Sequence, residues 1–499
     1  MSETRLECRL PISDSFAAEY LEYYCFLPLE LTDRRLRVAV AGEPNAEALD
    51  DLQRSYDVVA LDLVPVSADE LQEAIRHTFA AAESMVELVR DLNADLTPDS
   101  SVLDQAATDV RDLANQPPVI RFVNLLIREA HDASASDIHL EATREGMRVR
   151  LRIDGVLCEL PGPPAALQAA VVSRVKLLAE LDIAERRHPQ DGRIRVRLEA
   201  RELDLRVSTV PTLFGESVVL RLLDRGGRPV GLEDLGMSPE LLPLMQRLAL
   251  KPHGILLATG PTGSGKTTTL YAALGLRNPT YEKIVTVEDP VEYELPHVTQ
   301  VPVHTNAGVT FAGALRSILR QDPDVLMIGE MRDAETAAIA MQAAMTGHLV
   351  FSTLHTNDAV GALTRLIDLR VEPYVVAATL EAVLAQRLVR RICPDCRERY
   401  RPDPTAIAFV AGGPVGSPWL ERGAGCTACR QTGYRGRSGI FELLVIDDDL
   451  RRHLTTNPDP SDLRRQAMAS GMQTLRGDAW TKVQAGITTV EEVLRVLQS

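Results

Sequence analysis

Apolar residues recur at helical spacing through residues 119–133 (VIRFVNLLIREAHDA) and alternate with polar ones through residues 147–160 (MRVRLRIDGVLCEL). The first pattern predicts an amphipathic helix. The second predicts a strand pair turning at Asp154-Gly155. Residues 193–210 repeat the alternation, and ESVVLRLLD ends this α+β segment near residue 224. Upstream, residues 11–80 read as a small α/β module, with a helix over 15–25, a strand over 36–41 and an amphipathic helix over 68–79. After residue 240 the pattern becomes strand–loop–helix, repeated. Its continuous apolar runs, GILLATG and DVLMIGE, suit strands buried on both faces of a doubly wound sheet. Gln116-Pro117-Pro118 and Gly226-Gly227-Arg228-Pro229 punctuate the chain.

The expected layout is an α/β multidomain chain. It has a small α/β N-terminal domain over 1–80, an acidic linker over 81–117 and a middle α+β domain over 118–228. A larger α/β domain over 229–499 includes a cysteine-rich segment over 390–437 and a helical tail over 438–499. The stretch AAESMVELVRDL within the linker could still be helical.

Charge changes this picture at one end. Residues 1–115 hold 9 Arg, no Lys and 24 Asp plus Glu, a net of −15, so the other 384 residues carry only −1 of the total −16. The acidic head is either a solvated face or a docking surface for a basic protein. It repels nucleic acid, and 4% aromatic content gives little for base stacking, so no nucleic-acid partner is expected. The first twelve residues hold no apolar signal segment, and the apolar stretch 374–385 is interrupted by Glu381 and shorter than the ~20 residues of a membrane span. A cytoplasmic chain is expected, in which seven cysteines are thiols or metal ligands rather than disulfides.

The strongest chemical signal is Gly260-Pro261-Thr262-Gly263-Ser264-Gly265-Lys266-Thr267, followed by Thr268, between a strand-like and a helix-like run. The pattern G-x-x-x-x-G-K-[ST] in that context is a phosphate-binding loop for ATP. Its backbone amides and the helix N-terminus receive phosphate oxygens, Lys266 reaches the β- and γ-phosphates, and Thr267 ligates Mg²⁺. Lys266 is one of only five lysines. Two acidic strand ends follow. Glu288 lies in KIVTVEDPVEY with Asp289 and Glu292, and Glu330 lies in DPDVLMIGEMRD. Glu288 or Glu330 could hold Mg²⁺ through water or orient the attacking water. His348 and His355 flank a third apolar strand, as structural residues or as a γ-phosphate sensor. Cys393, Cys396, Cys426 and Cys429 form two CxxC pairs able to place four thiolates around a structural Zn²⁺. Cys8, Cys25 and Cys158 read as ordinary thiols.

These motifs, together with ASDIHLE at 135–141, AERRHPQDGRIRVR at 184–197, LRVSTVPTLFGESVVLRLL at 205–223 and TGHLVFSTLHTND, make the chain resemble the secretion ATPases of the bacterial type II secretion and type IV pilus class. The resemblance covers about residue 117 to 499, and the head more weakly. It implies a RecA-like P-loop core and a homo-hexameric cytoplasmic motor, peripheral on the inner membrane. The partners it implies are the cytoplasmic domain of a membrane anchor, bound by the head, and a polytopic platform protein. It further implies that Arg206 and Arg221 of the middle domain reach the nucleotide. AERRHPQDGR and the single short head are most similar to the type II secretion members. Pilus assembly is the runner-up, ahead of a nucleic-acid motor or a zinc-stabilised scaffold.

Overall fold

In a computed structural model of the chain, the described residues are 114–498, apart from 199–200, 225–229, 305–306, 414–417 and 457, together with parts of 21–89, chiefly 24–32, 35–42, 45–56 and 60–68. Most of the helix expected over 15–25, the second half of that over 68–79, most of the linker over 81–117 and the glycine hinge at 226–227 lie outside the described residues.

Near the N-terminus, β1 (Phe26–Thr32) pairs antiparallel with β2 (Arg35–Val40). Helix α1 (Ala46–Ser55) then leads to β3 (Ala60–Pro65), which lies parallel to β2. Leu36 and Val38 of β2 point into a core with Phe26, Leu27 and Leu52.

The middle segment is an antiparallel sheet covered by helices on one face. It comprises α2 (Pro117–Asp132), β4 (Asp137–Thr143), β5 (Gly146–Ile153), β6 (Val156–Leu160), α3 (Gln168–Leu178), β7 (Gln190–Leu198), β8 (Arg201–Thr212) and β9 (Gly215–Asp224), in sheet order β6-β5-β4-β9-β8-β7. Pro117 opens α2, where a missing N–H costs nothing. The helix then buries Val119, Phe122, Val123, Leu126, Ile127 and Ala130, a single stripe of the 3.6-residue period. That stripe packs on Ile138, Leu151, Ile194, Leu205 and Leu220 of the sheet. The alternation that turns those residues inward turns their neighbours outward. One register row on the open face reads Arg193, Arg206, Arg221, Asp137, Arg152.

The C-terminal segment begins with α4 (Leu241–Ala249), β10 (Gly254–Thr259), α5 (Lys266–Leu274), β11 (Ile284–Glu288), β12 (Thr299–Pro302), α6 (Phe311–Ile318), β13 (Val325–Ile328) and α7 (Ala334–Met345). It continues through β14 (Leu349–Leu354), α8 (Ala359–Asp368), α9 (Pro373–Thr379) and β15 (Leu380–Ile392). The sheet order is β12-β11-β13-β14-β10-β15-β18, parallel except at the β15–β18 (Tyr434–Val445) edge. Every residue of β10, β13 and β14 is buried. In β10, Ile255 and Leu257 enter the core on one face, while Leu256 and Ala258 enter the core on the other. Continuous apolar runs are what such a doubly covered strand needs, since both faces of the pleat exclude water. Between β15 and β18 lie β16 (Arg397–Tyr400), α10 (Pro404–Ala411) and β17 (Leu420–Gly423), followed after β18 by α11 (Asp448–Thr456), α12 (Pro460–Ala469), α13 (Leu475–Gln484) and α14 (Val490–Leu497).

The expected helical tail over 438–499 therefore starts as strand. Residues 438–445 complete the sheet by antiparallel pairing with β15, from Ala382↔Val445 to Val389↔Ser438. A short apolar run such as GIFELLV suits a buried strand and a buried helix equally, and only the free edge of β15 decides between them.

Glu492 ties α14 to this edge. Its side chain is fully buried and accepts from Arg390 N, Nε and Nη2 and from Arg495 Nε and Nη2. Burial pushes the Glu492 carboxyl up, but the hydrogen bonds from Arg495 and Arg390 outweigh it and hold the group below the usual carboxylate range. Its stabilising contribution is therefore present at neutral pH and lost as pH falls through the lowered pKa. Glu492→Ala strands the Arg390 guanidinium and is expected to cost about 3–5 kcal/mol, the scale of breaking one side of a buried ion pair. Urea unfolding monitored at Trp480, which packs against the same core, measures it; a loss under ~1 kcal/mol would show that this contact holds little.

Candidate functional site

The parallel strands bring their C-terminal ends to one edge. Thr259 pairs in register with Leu354 and Ala385, and Ile328 with Val287 and Ser352. The segments that follow these ends line one cleft of about 990 Å³, which contains Pro261 to Thr268, Glu288, Asp289, Glu292, Glu330, Arg332, Thr353, His355 and Arg387. The middle sheet supplies Asp137, Arg152 and Arg221 to the same cleft.

The loop between β10 and α5 turns as a phosphate-binding loop must. A Cβ on Gly260 would stand 2.5 Å from Gln386 O, and Gly265, at φ +86°, occupies the left-handed region where other residues are strained. Gly265 is also the N-cap of α5, with no side-chain cap, so the first-turn amides are open to an anion. Gly263 and Ser264 complete the turn, and Ser264 Oγ is buried without a partner among the described residues. Lys266 Nζ lies across the loop, donating to Gly260 O at 2.8 Å and Pro261 O at 3.0 Å. Burial pushes its pKa down to about 8; the Glu330 charge works against that shift and the Arg387 charge adds to it. Thr262, Thr267 and Thr268 border the cleft, with Thr267 at the first turn of α5.

The two candidate acids differ in their surroundings. Glu288 ends β11, fully buried, and its carboxylate is ringed by donors: Tyr271 Oη, Thr286 Oγ1 and Gln300 Nε2, the last at 3.1 Å. Burial and this bond push the Tyr271 pKa up. Glu330 follows β13 by two residues, pairs with Arg332, and has Oε2 3.5 Å from His355 Nε2. The His355 turn is tied to the loop through Thr259 Oγ1, which receives Thr356 N at 2.9 Å. Burial lowers the His355 pKa, and the Lys266 charge lowers it further.

His348 lies elsewhere. It precedes β14, at the N-terminal edge of the sheet, where its carbonyl receives Gly254 N at 3.1 Å. Its Nδ1 lies 2.8 Å from Ala343 O at the end of α7. Six strand residues thus separate the two histidines, and only His355 enters the cleft.

The middle-domain arginines also differ. Arg221 donates to Asp137 Oδ1 at 3.0 Å and lines the cleft. Arg206, its register partner, donates to Val291 O at 2.8 Å and is not among the residues lining the cleft. The sequence reading passed over Asp137, Arg152, Arg332 and Arg387. Asp137 lies in ASDIHLE, and Arg387 interrupts an apolar strand, an arrangement that marks a charge with a reason to be buried.

A second cluster lies between β15 and β18. The Sγ atoms of Cys393, Cys396, Cys426 and Cys429 are all within 4.8 Å of one another, with 3.9 Å for Cys393–Cys426, 3.8 Å for Cys396–Cys429 and 3.6 Å for Cys426–Cys429. A tetrahedron with metal–sulfur bonds of about 2.3 Å has edges of about 3.8 Å, so the set is compatible with Zn²⁺. The amides of Gly425, Cys426 and Gly433 donate to these sulfurs, as thiolates require.

Two expectations follow from this geometry. A phosphate beside Lys266 raises its pKa again, so above pH 8 binding must take up a proton. The Kd for ATP is expected to rise from pH 8 to pH 9 by up to about tenfold, and calorimetry at pH 7.5, 8.5 and 9.5 reads it; a flat Kd would exclude a coupled Lys266. Metal analysis of the purified chain is expected to give about one Zn²⁺ per chain, lost in Cys396→Ser together with Cys429→Ser. A wild-type chain that folds without metal would remove the assignment.

Residues 112–495 match the family described as Type II/IV secretion system protein, and residues 4–85 match the MshEN domain. Type II secretion system protein E of Pseudomonas aeruginosa is 49% identical over 440 residues, covering 87% of each chain. The type IV pilus assembly ATPase PilB of Myxococcus xanthus is 41% identical over 485 residues, covering 95% of this chain and 85% of its own. The pilus retraction motor PilT, solved with bound ADP, superposes with a TM-score of 0.51 at 28% identity, over 74% of this chain and 95% of that one. The chain therefore belongs to the type II/IV secretion system protein family, as an ATP-hydrolysing secretion ATPase of the type II class.

Proposed function

We propose that this chain is the cytoplasmic, hexameric motor of a type II secretion machine, hydrolysing ATP to drive pseudopilus assembly and export of folded proteins across the outer membrane. The observation that carries the reading is the phosphate loop, with Glu330 and His355 facing Lys266 across one cleft. In this reading the amides of Gly263 to Thr267 and the Lys266 ammonium hold the phosphates, and Thr267 ligates Mg²⁺. Glu330 orients the attacking water, with His355 beside it. Glu288, its oxygens already engaged by three donors, holds Tyr271 and Gln300 and so shapes the acidic loop after β11. Arg221 supplies a further cation from the middle sheet, and Arg206 steadies the loop at Val291. His348 belongs to the packing of α7 and not to the chemistry.

The domain layout over 1–80, 81–117, 118–228 and 229–499 fits this reading, with the acidic head docked on the cytoplasmic part of an inner-membrane anchor and the body on a polytopic platform protein. The net −15 of residues 1–115 supports a basic docking partner. No helix among the described residues is long and apolar enough to cross a membrane. Pilus assembly is the second reading, favoured by the 41% identity to PilB. Restoring secretion, rather than piliation, in a strain lacking the respective motor separates the two.

Phosphate release by the purified chain tests the chemistry. Lys266→Ala is expected to abolish ATP binding. Glu330→Gln is expected to keep binding and lose about a hundredfold or more in kcat, the scale of a general base. Turnover near wild type in either variant would refute these roles.

A further inference from the structure

Arg387 is a buried cation that none of the roles above uses. It stands on β15, two residues past Ala385, the register partner of Thr259 at the end of β10. It is 9% exposed and lines the same cleft as Lys266. Its donors reach only neutral oxygens: Nη1 gives to Gln386 O at 3.1 Å, and Nη2 to Asn357 O at 3.1 Å and Oδ1 at 3.4 Å. Arg332 has Glu330, Arg221 has Asp137 and Arg390 has Glu492, but Arg387 forms no such pair among the described residues. Burying the charge is costly, and although the Asp358 and Glu442 carboxylates act in the opposite sense from beyond ion-pair distance, burial wins and pushes the Arg387 pKa down. An arriving anion removes that cost.

Its position names the anion. A Cβ on Gly260 would lie 3.0 Å from Arg387 Nη1, so the guanidinium rests on the entry of the phosphate loop. Lys266 Nζ reaches the same corner, at Gly260 O and Pro261 O, and this lysine is the group that meets β- and γ-phosphates. The α5 amides lie at the other end of the loop. Gln386 Nε2 donates to Ser264 O at 2.7 Å and so fixes β15 against the loop.

We propose that Arg387 is a phosphate-binding residue of the nucleotide site, held between the ends of β14 and β15 to take the terminal phosphate of ATP beside Lys266. The assignment rests on the phosphate loop proposed above. The nucleotide pocket then carries, within its own chain, a cation that distinguishes ATP from ADP.

Equilibrium binding of a non-hydrolysable ATP analogue and of ADP to the full chain tests it. Arg387→Gln is expected to weaken the ATP analogue about 10–100-fold, the scale of a hydrogen bond to a charged group, and ADP less than about threefold. Arg387→Lys, which keeps charge and most of the packing, is expected to give a smaller loss in the same sense and remains readable if the glutamine variant does not fold. Arg387→Gln is also expected to move the alkaline fall in affinity to higher pH, because Lys266 loses the charge that lowers its pKa, and Arg387→Lys to leave it in place. Equal loss for ATP analogue and ADP with an unmoved alkaline limb would mean a packing role and overturn the proposal, as would no loss for either. Lys266→Ala is run alongside. If it leaves both nucleotides bound, the loop assignment fails and Arg387 falls with it; if it abolishes binding while Arg387→Gln does not discriminate, only the Arg387 proposal fails.

Discussion

Parallel register on both sides of β10 is the constraint from which the site follows. Thr259 lies level with Leu354 on one side and Ala385 on the other, so the loop after β10, the His355 turn after β14 and the Gln386–Arg387 pair on β15 meet at one height. β13 delivers Glu330 to the same edge through its pairing with β14. A parallel sheet is forced to collect its carboxyl ends this way, and covering both faces with helices leaves that edge as the accessible concavity. The same rule removes His348. Preceding β14 rather than following it, the residue is carried to the opposite edge, where it meets the end of α7.

Charge of both signs is concentrated at that edge. Lys266, Arg152, Arg221, Arg332, Arg387 and Arg437 border the cleft with Asp137, Glu330 and several acids of the β11 loop. Burial and the Arg387 charge lower the Lys266 pKa, which marks a region where cations repel and lack water. A polyphosphate with its metal relieves that repulsion. The strain on Lys266 is thus the unliganded counterpart of nucleotide affinity, and it ties binding to pH on the alkaline side.

The middle sheet is joined to this edge and to the four-thiol module by directional polar contacts. Arg206 reaches Val291 O, while Asp154 at the β5–β6 turn accepts Gly436 N at 2.8 Å and lies near Arg437. Arg430 pairs with Glu129 of α2 at 3.0 Å. Polar contacts of this kind, without a shared apolar core, hold two bodies in a definite orientation yet exchange readily with water. Gly436 and Arg437 stand within β18, where its antiparallel pairing with β15 places Arg437 opposite Arg390.

Local elements, and the chemistry that local spacing encodes, are legible along the chain. The helix over 119–133, the strand pair turning at Asp154-Gly155, the glycine loop with Lys266 and the two CxxC pairs each depend on residues close along the chain, where periodicity and turn chemistry act directly. The folded arrangement of the sheets settles which distant residues share a space. It separated His348 from His355, which look alike as flanks of one strand, because a strand exposes its two ends to opposite edges. It saturated Glu288 with Tyr271 and Gln300, leaving Glu330 beside His355, although both acids end apolar strands in the same way. It turned residues 438–445 into the closing strand because β15 had an unpaired edge. Finally, it placed Arg387 against Gly260, a contact spanning 127 positions of chain that no local pattern records, since sheet register rather than spacing brings the two together.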